Sequence, residues 1–145
     1  MRLFVYGTLM DPDVRAIVFD DPALAVAEDR ARLNGFRRQA ILGGLAPVLL
    51  PHPHGAVDGV LLPAPGERAM ARARHFEGRH HYRLAERPVQ ASGACVTAAV
   101  FLPTAQVRPL SRTWDFDTWH RRHKAAFLRR AERHMNSFAA RRAGA

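Results

Sequence analysis

Short apolar runs, separated by glycine and proline, are the feature of this chain that most limits its fold. Beyond residue 43 the runs are each four to nine residues long: PVLL (47–50), VDGVLL (57–62), YRLAERPVQ (82–90) and ACVTAAVFL (94–102). Strands of a small sheet have this length, whereas helices usually need longer runs. The separators include Gly43-Gly44 and a proline-rich loop at 51–55. This spacing predicts a small sheet that is curled or closed.

Two earlier segments extend the strand pattern. Residues 2–6 (RLFVY) predict a buried strand that ends at a glycine, and residues 25–42 mix alternating polar and apolar positions. Asn34-Gly35 interrupts the second segment, and this dipeptide favours a tight turn between strands. We therefore expect a turn at that point.

Two helices are predicted in the first half of the chain. Asp11 or Asp13, with a proline between them, caps a short helix that continues through Phe19. Residues 65–76 are rich in alanine and arginine, which favour helix, and Gly78 follows as a C-cap. Each helix therefore has a capping residue next to it in the sequence.

A long helix is predicted at the C-terminus, with Trp119, Phe127 and Met135 on one apolar stripe that should pack on the domain. No internal repeat or low-complexity tract divides the chain, so we predict a single α+β domain over residues 1–145. Its parts are a core at about 2–102, a linker at 103–114 and the helix at about 115–140.

The net charge of +9 raises the hypothesis of a module that binds nucleic acid or an acidic partner. Residues 108–145 hold ten basic and three acidic side chains, so the charge belongs mainly to the C-terminal element. All basic residues except Lys124 are arginines, which genomic codon bias explains as well as phosphate recognition does. The chain has no aromatic RNA-binding motif, so a nucleic-acid partner is not favoured.

Cys95 is the only cysteine, which excludes an intramolecular disulfide and a paired-cysteine zinc site. The histidines lack the carboxylate or cysteine spacing of a metal motif, and no nucleotide-binding loop is present. We therefore predict no metal and no cofactor. The N-terminus has no signal-peptide pattern and no apolar run is long enough for a membrane span, so we expect a cytoplasmic protein without a membrane partner.

The first candidate site is the loop YGTL, formed by Tyr6, Gly7, Thr8 and Leu9 directly after the first strand. A glycine lets the backbone approach a ligand closely, and consecutive N–H groups suit an anionic or carbonyl oxygen. The alternative is a turn that only reverses the chain.

The second candidate site surrounds Glu77, at the end of the helix predicted over 65–76, with Tyr82 five residues later. The C-terminus of a helix carries partial negative charge, which raises the proton affinity of a carboxylate and suits a general base. The alternative for Glu77 is an exposed side chain at a helix end. For Tyr82 the alternative is an ordinary core aromatic in a strand.

Four segments in order resemble the γ-glutamylcyclotransferase-like family. They are FVYGTLM at the N-terminus, LNGFRR at 33–38, the stretch from Gly43 to Leu62, and HFEGRHHYR at 75–83. The resemblance spans about residues 2–102, and YGTL and FEG are its most specific parts. It implies a small mixed β-barrel flanked by helices.

The resemblance also implies an activity and roles for single residues. The enzyme would cyclise a γ-glutamyl group to 5-oxoproline and release an amine or amino acid, with Glu77 as general acid and base. Tyr6, Gly7, Thr8, Leu9 and Tyr82 would bind this small-molecule substrate. A non-catalytic binder of a small metabolite with the same fold is the alternative. The donor, the leaving amine and the oligomeric state stay open.

Overall fold

The computed structural model describes residues 1–78 and 80–144, with side chains up to residue 138. Within this part, no helix is both long and apolar enough to cross a bilayer. A short 3-10 turn at Thr8–Met10 follows the first strand. The elements in chain order are β1 (Leu3–Val5), α1 (Pro12–Phe19), α2 (Pro22–Ala25), β2 (Arg30–Ile41), β3 (Val48–Leu62), α3 (Glu67–Glu77), β4 (Tyr82–Ala91), β5 (Ala94–Pro103), β6 (Pro109–Thr113), α4 (Phe116–Arg122) and α5 (Lys124–Gly144).

Five strands close into a barrel in the order β3-β1-β5-β4-β2, and β2 pairs with β3 to complete it. The short β1 is central, because Phe4 lies opposite Leu61 of the antiparallel β3 and opposite Val100 of the parallel β5. β6 adds to the outer side of β2 in antiparallel orientation. The predicted fold class, a small mixed barrel with flanking helices, is confirmed.

Alternation along the strands produces two cores. Phe4 and Leu33 belong to a buried cluster drawn from the five barrel strands and from Tyr6, just after β1, with no helical residue; this cluster fills the barrel. Leu3 and Val5, on the opposite face of β1, pack with helical residues such as Val18 and Trp119. β1 therefore contacts the barrel interior with one face and the helices with the other, which fixes the position of the loop that follows it.

The predicted turn at Asn34-Gly35 is wrong, because β2 runs straight through it. Asn34 pairs with Ala56 and Phe36 pairs with Pro51, so residues 52–55 of β3 form a wide bulge opposite Gly35. Two of the residues around this bulge are prolines, which lack the N–H that a regular ladder needs. The predicted loop at 51–55 is thus an irregular part of one long strand.

The C-terminal region also differs from the expectation in detail. The predicted linker contains β6, and the helix expected from residue 115 is divided at His123 into α4 and the long α5. Directly after the break, the Lys124 ammonium lies 2.8 Å from carboxylate oxygens of both Asp11 and Asp13. The start of α5 is therefore held against the start of α1, a tertiary contact that sequence periodicity does not contain.

The apolar stripe of this region packs on the domain as expected. Trp119 and Met135 are buried and Phe127 is partly buried, whereas the arginines of the same helices up to residue 138 are exposed. The exposed arginines are Arg121, Arg122, Arg129, Arg130 and Arg133.

Candidate active site

Glu77 is the last residue of α3, and the chain leaves the helix at Gly78. Gly78 has φ +86, a conformation that glycine adopts without strain, and its N–H donates to the Arg74 carbonyl at 3.0 Å. On the buried side of α3, Arg72 donates to the Val18 carbonyl at 2.7 Å and fixes the helix against α1. The end of α3 is therefore a rigid support for Glu77.

Two cavities meet at Glu77. The larger has a volume of about 440 Å³ and is lined by residues 41–43, Ala46, the last two residues of α3, residues 81–82, residues 106–108 and Phe127 of α5. The smaller has about 20 Å³ and is lined by residues 4–9, Ala46, Pro47, Glu77 and Phe101. A volume of roughly 10–15 Å³ is needed for one water, so the smaller cavity accommodates about one oxygen atom. Small-molecule sites have volumes of roughly 300–1,000 Å³, which includes the larger cavity.

Burial controls the protonation of Glu77. The surrounding protein raises the pKa of its carboxyl from 4.5 to about 7, because desolvation penalises the charged form. The residue keeps part of its surface accessible, where it lines the cavities. A carboxyl with this pKa exchanges protons readily near neutral pH, which is the property required of a general acid and base.

Two tyrosines share the electrostatic environment of Glu77. Burial raises the pKa of Tyr6 well above its usual value, and the negative charge of Glu77 raises it further. The same two causes, in the same order, raise the pKa of Tyr82. Both phenols therefore stay neutral at physiological pH and are available only as hydroxyl groups.

The YGTL loop is packed against Pro47, the residue before β3. A Cβ atom placed on Gly7 would lie 2.7 Å from Cδ and 2.8 Å from Cγ of Pro47, so only glycine permits this contact. Tyr82 donates its hydroxyl to the Pro47 carbonyl at 3.2 Å. The loop, the β2–β3 connection and β4 therefore meet at one proline.

Hydrogen bonds fix the two ends of the YGTL loop and leave its middle available. Arg38 donates to the Tyr6 carbonyl at 2.9 Å, while the Tyr6 hydroxyl donates to the Phe101 carbonyl. Inside the turn, the N–H of Met10 donates to the Gly7 carbonyl at 2.9 Å. The first N–H groups of such a turn have no partner within it. A ligand oxygen in the smaller cavity could accept from them.

The structure brings together all the residues that the sequence singled out, in two groups that share Glu77. Tyr6, Gly7, Thr8 and Leu9 line the smaller cavity with Glu77, and Tyr82 lines the larger one with Glu77. About 70 residues of sequence separate Glu77 from the loop. Both Tyr6 hydroxyl and Tyr82 hydroxyl are already hydrogen-bonded to carbonyls, so their first effect is to hold the backbone around the cavities.

Sequence reasoning missed several residues of the site. Arg38 and Pro47 lie in segments that carry the family resemblance, which is the signal that could have drawn attention to them. His81 also lines the larger cavity and stands in the segment HFEGRHHYR. Leu42 and Arg108 line it too, and no motif marks these two residues. Their contribution depends on the β2–β3 loop and on the segment before β6, which come together only in the folded chain.

The fold and the site define a class of protein: small closed-barrel proteins that hold a buried carboxylic acid between two cavities. The sequence profile of the family described as "Gamma-glutamyl cyclotransferase, AIG2-like" matches residues 3–121. The chain belongs to this family. AIG2-like protein A of Arabidopsis thaliana is 28% identical over 130 residues, covering 88% of this chain and 76% of the plant protein.

Solved structures support the same fold. A solution structure of an Arabidopsis thaliana protein superposes with a TM-score of 0.64 at 25% identity, covering 94% of this chain and 91% of the plant chain. A structure described as a gamma-glutamyl cyclotransferase has a TM-score of 0.60 at 18% identity, covering 76% of this chain and 71% of that one. The second similarity is one of fold alone.

Proposed function

We propose that this protein is a γ-glutamyl cyclotransferase, which converts a γ-glutamyl group to 5-oxoproline and releases an amine or amino acid. The observation that carries the proposal is the position of Glu77, whose buried carboxyl has a pKa of about 7 and lines both cavities opposite the YGTL loop. Membership of a family that includes γ-glutamyl cyclotransferases supports the same reaction.

Glu77 would move the protons of the reaction. The α-amine of the γ-glutamyl group is an ammonium at neutral pH, so it must lose a proton before its nitrogen can attack the side-chain carbonyl carbon. Glu77 accepts that proton before the new C–N bond forms, and donates it to the leaving nitrogen as the old C–N bond breaks. The second proton that the attacking nitrogen loses in becoming the lactam N–H ends on the released amine, which leaves as an ammonium. A pKa near the working pH lets one group serve in both steps.

The YGTL loop would stabilise the negative charge on the carbonyl oxygen during the attack. The smaller cavity has room for about one oxygen atom, and its wall includes Gly7, Thr8 and Leu9. Backbone N–H groups that are fixed before the reaction stabilise an oxyanion without reorganisation. The rest of the substrate would occupy the larger cavity, folded back so that amine and carbonyl meet.

The direct test is an assay of 5-oxoproline release from a set of γ-glutamyl dipeptides, with Glu77→Gln as the variant. Glutamine preserves the shape and loses the basic oxygen, so we expect turnover to fall by roughly 10²- to 10⁴-fold while calorimetric binding survives. Glu86→Gln, an exposed substitution on β4, is the matched control and should behave as wild type.

Two outcomes would contradict the proposal. Equal turnover by wild type and Glu77→Gln would remove Glu77 from the mechanism. Binding of the dipeptides without turnover by wild type would favour a non-catalytic metabolite binder with the same fold.

A cytoplasmic location, which the sequence favours, stays a prediction.

A further inference from the structure

Apart from Glu77, the walls of the larger cavity are mainly apolar. Phe76 and Phe127 form an edge-to-face pair with ring centroids 6.1 Å apart, and both line the cavity. Ile41, Leu42, Ala46 and Val107 complete the apolar part of the lining. A substrate portion that occupies this space therefore needs apolar surface to displace water favourably.

Leu42 is exposed to an unusual degree for a leucine. It keeps 64% of its surface accessible at a position that lines the cavity. An exposed large apolar side chain at a cavity gains free energy when a ligand covers it. The apolar lining therefore extends from the aromatic pair out to the surface.

Arg108 lies at the same cavity. The N–H of Leu42 donates to the Arg108 carbonyl at 2.9 Å, so the backbone holds the two residues next to each other. The Arg108 side chain is exposed, and its guanidinium forms no hydrogen bond or ion pair with the described residues. A guanidinium beside an apolar cavity suits a carboxylate.

The other ionisable groups of the lining are Glu77, His81 and Tyr82. Glu77 lies where this cavity meets the smaller one, and Tyr82 stays neutral. The outer part of the cavity thus has a permanent cation in Arg108 and no acidic side chain among the described residues. This arrangement disfavours a leaving group with additional positive charge, such as a polyamine.

We propose that the larger cavity selects the leaving group, and that it prefers an α-amino acid with a large apolar side chain and a free carboxylate bound by Arg108. This inference rests on the proposed cyclotransferase function. The released nitrogen would lie beside Glu77, the apolar side chain would contact Leu42, Phe76 and Phe127, and the carboxylate would be directed towards Arg108.

The test compares three substrates that differ only in the leaving group: γ-glutamylphenylalanine, γ-glutamylphenethylamine and γ-glutamylglycine. The first two differ by the carboxylate, and the first and third by the apolar side chain. We expect γ-glutamylphenylalanine to have the highest kcat/KM. Arg108→Gln should lower kcat/KM for γ-glutamylphenylalanine by about 3- to 10-fold, a modest factor because Arg108 is exposed. The same variant should leave kcat/KM for γ-glutamylphenethylamine unchanged, because that substrate has no carboxylate in its leaving group.

Leu42→Ser should reduce the preference for γ-glutamylphenylalanine over γ-glutamylglycine by about 3-fold. Because Leu42 is exposed, this substitution should preserve the fold, which circular dichroism checks. Arg112→Gln, an exposed arginine on β6 outside the cavity lining, is the charge-matched control and should match wild type on all three substrates.

A binding measurement separates failure of this inference from failure of the proposed reaction. Calorimetry with Glu77→Gln measures the affinity of the same three compounds without turnover. Release of 5-oxoproline with equal kcat/KM for the three substrates would overturn the leaving-group preference and keep the reaction. If no substrate releases 5-oxoproline, the proposed reaction is rejected. Equal affinities of Glu77→Gln for the three compounds would then also reject the leaving-group preference.

Discussion

The hydroxyl of Tyr82 donates to the carbonyl oxygen of Pro47 at 3.2 Å, which ties β4 to the β2–β3 connection. Pro47 in turn contacts Gly7, so this one hydrogen bond helps to hold both sides of the cavities. Tyr82 therefore positions the backbone that surrounds Glu77, in addition to lining the larger cavity.

We expect Tyr82→Phe to weaken catalysis through this contact. Phenylalanine keeps the ring and removes the hydroxyl, so the Pro47 carbonyl loses its donor and the connection before β3 becomes less fixed. Loss of one such hydrogen bond corresponds to about 0.5–1.5 kcal/mol, so kcat/KM should fall by about 3- to 10-fold. Steady-state kinetics with a γ-glutamyl dipeptide measures the effect, and unchanged kinetics would mean that the hydrogen bond does not position the site.

Gly7→Ala should damage the loop more severely. The added methyl would lie 2.7 Å from Cδ of Pro47, a distance that forces the loop and the proline apart. We expect a loss of about 1–3 kcal/mol in the free energy of unfolding and a fall in kcat/KM of at least about 10-fold. Urea denaturation and the 5-oxoproline assay measure the two effects.

The matched control for this substitution is Gly66→Ala. Gly66 precedes α3 with φ −71, and a Cβ placed there has no atom within 4 Å. Alanine at this position should leave turnover unchanged and cost less stability than alanine at Gly7. Equal effects at the two glycines would contradict the importance of the Gly7–Pro47 contact.

The local parts of the fold could be predicted from the sequence. Residues 82–90 and 94–102 are indeed in β4 and β5, and Gly78 ends α3 as expected, because hydrophobic alternation and glycine caps act over a few residues. The turn expected at Asn34-Gly35 is absent, because the pairing of β2 with β3 overrides the local preference of that dipeptide. The weak and exposed β6 has no apolar pattern to reveal it.

The residues of the candidate site also fall into two groups, those that a local motif marks and those that only the folded chain brings into place. Glu77 and the YGTL loop stand in motifs, so the sequence could identify them. The sequence argument started from the partial negative charge at the helix end, and the structure gives burial as the cause of the raised pKa of Glu77. Burial, the Gly7–Pro47 contact and the position of Arg108 depend on distant segments, and no local pattern contains them.

Arg15 is a buried residue that holds the end of the YGTL loop through hydrogen bonds. Its side chain is 1% exposed, and all five N–H groups donate to backbone carbonyls. The acceptors are Leu9, Met10, Leu24, Ala25 and Ala27, at 2.7 to 3.0 Å. The guanidinium thus joins the end of the loop to the segment after α1.

Arg15→Lys should therefore be strongly destabilising although it conserves the charge. A lysine ammonium has three donors in a compact group and cannot reach five separate carbonyls, so buried acceptors lose their partners. We expect a loss of about 3 kcal/mol or more in the free energy of unfolding, measured by urea denaturation. Arg30→Lys, an exposed position on β2, is the control and should change stability by less than about 0.5 kcal/mol.

Glu77 should make stability depend on pH in a direction opposite to that of most carboxyl groups. Burial raises its pKa from 4.5 to about 7, so between these values the folded protein binds a proton that the unfolded chain releases. The stabilising contribution of the protonated carboxyl is complete below about pH 4.5, and it is lost as the pH rises through about 7.

Glu77→Gln removes this dependence, because glutamine is neutral at every pH. The variant should match wild type near pH 4 and exceed it at pH 8 by roughly 3 kcal/mol in the free energy of unfolding. Urea denaturation of both proteins at pH 4, 6 and 8 measures the difference, with the exposed Glu86→Gln as the control that should run parallel to wild type. A constant difference between Glu77→Gln and wild type over this range would show that the Glu77 carboxyl titrates as it does in the unfolded chain, and would remove the basis for its role as a general base near neutral pH.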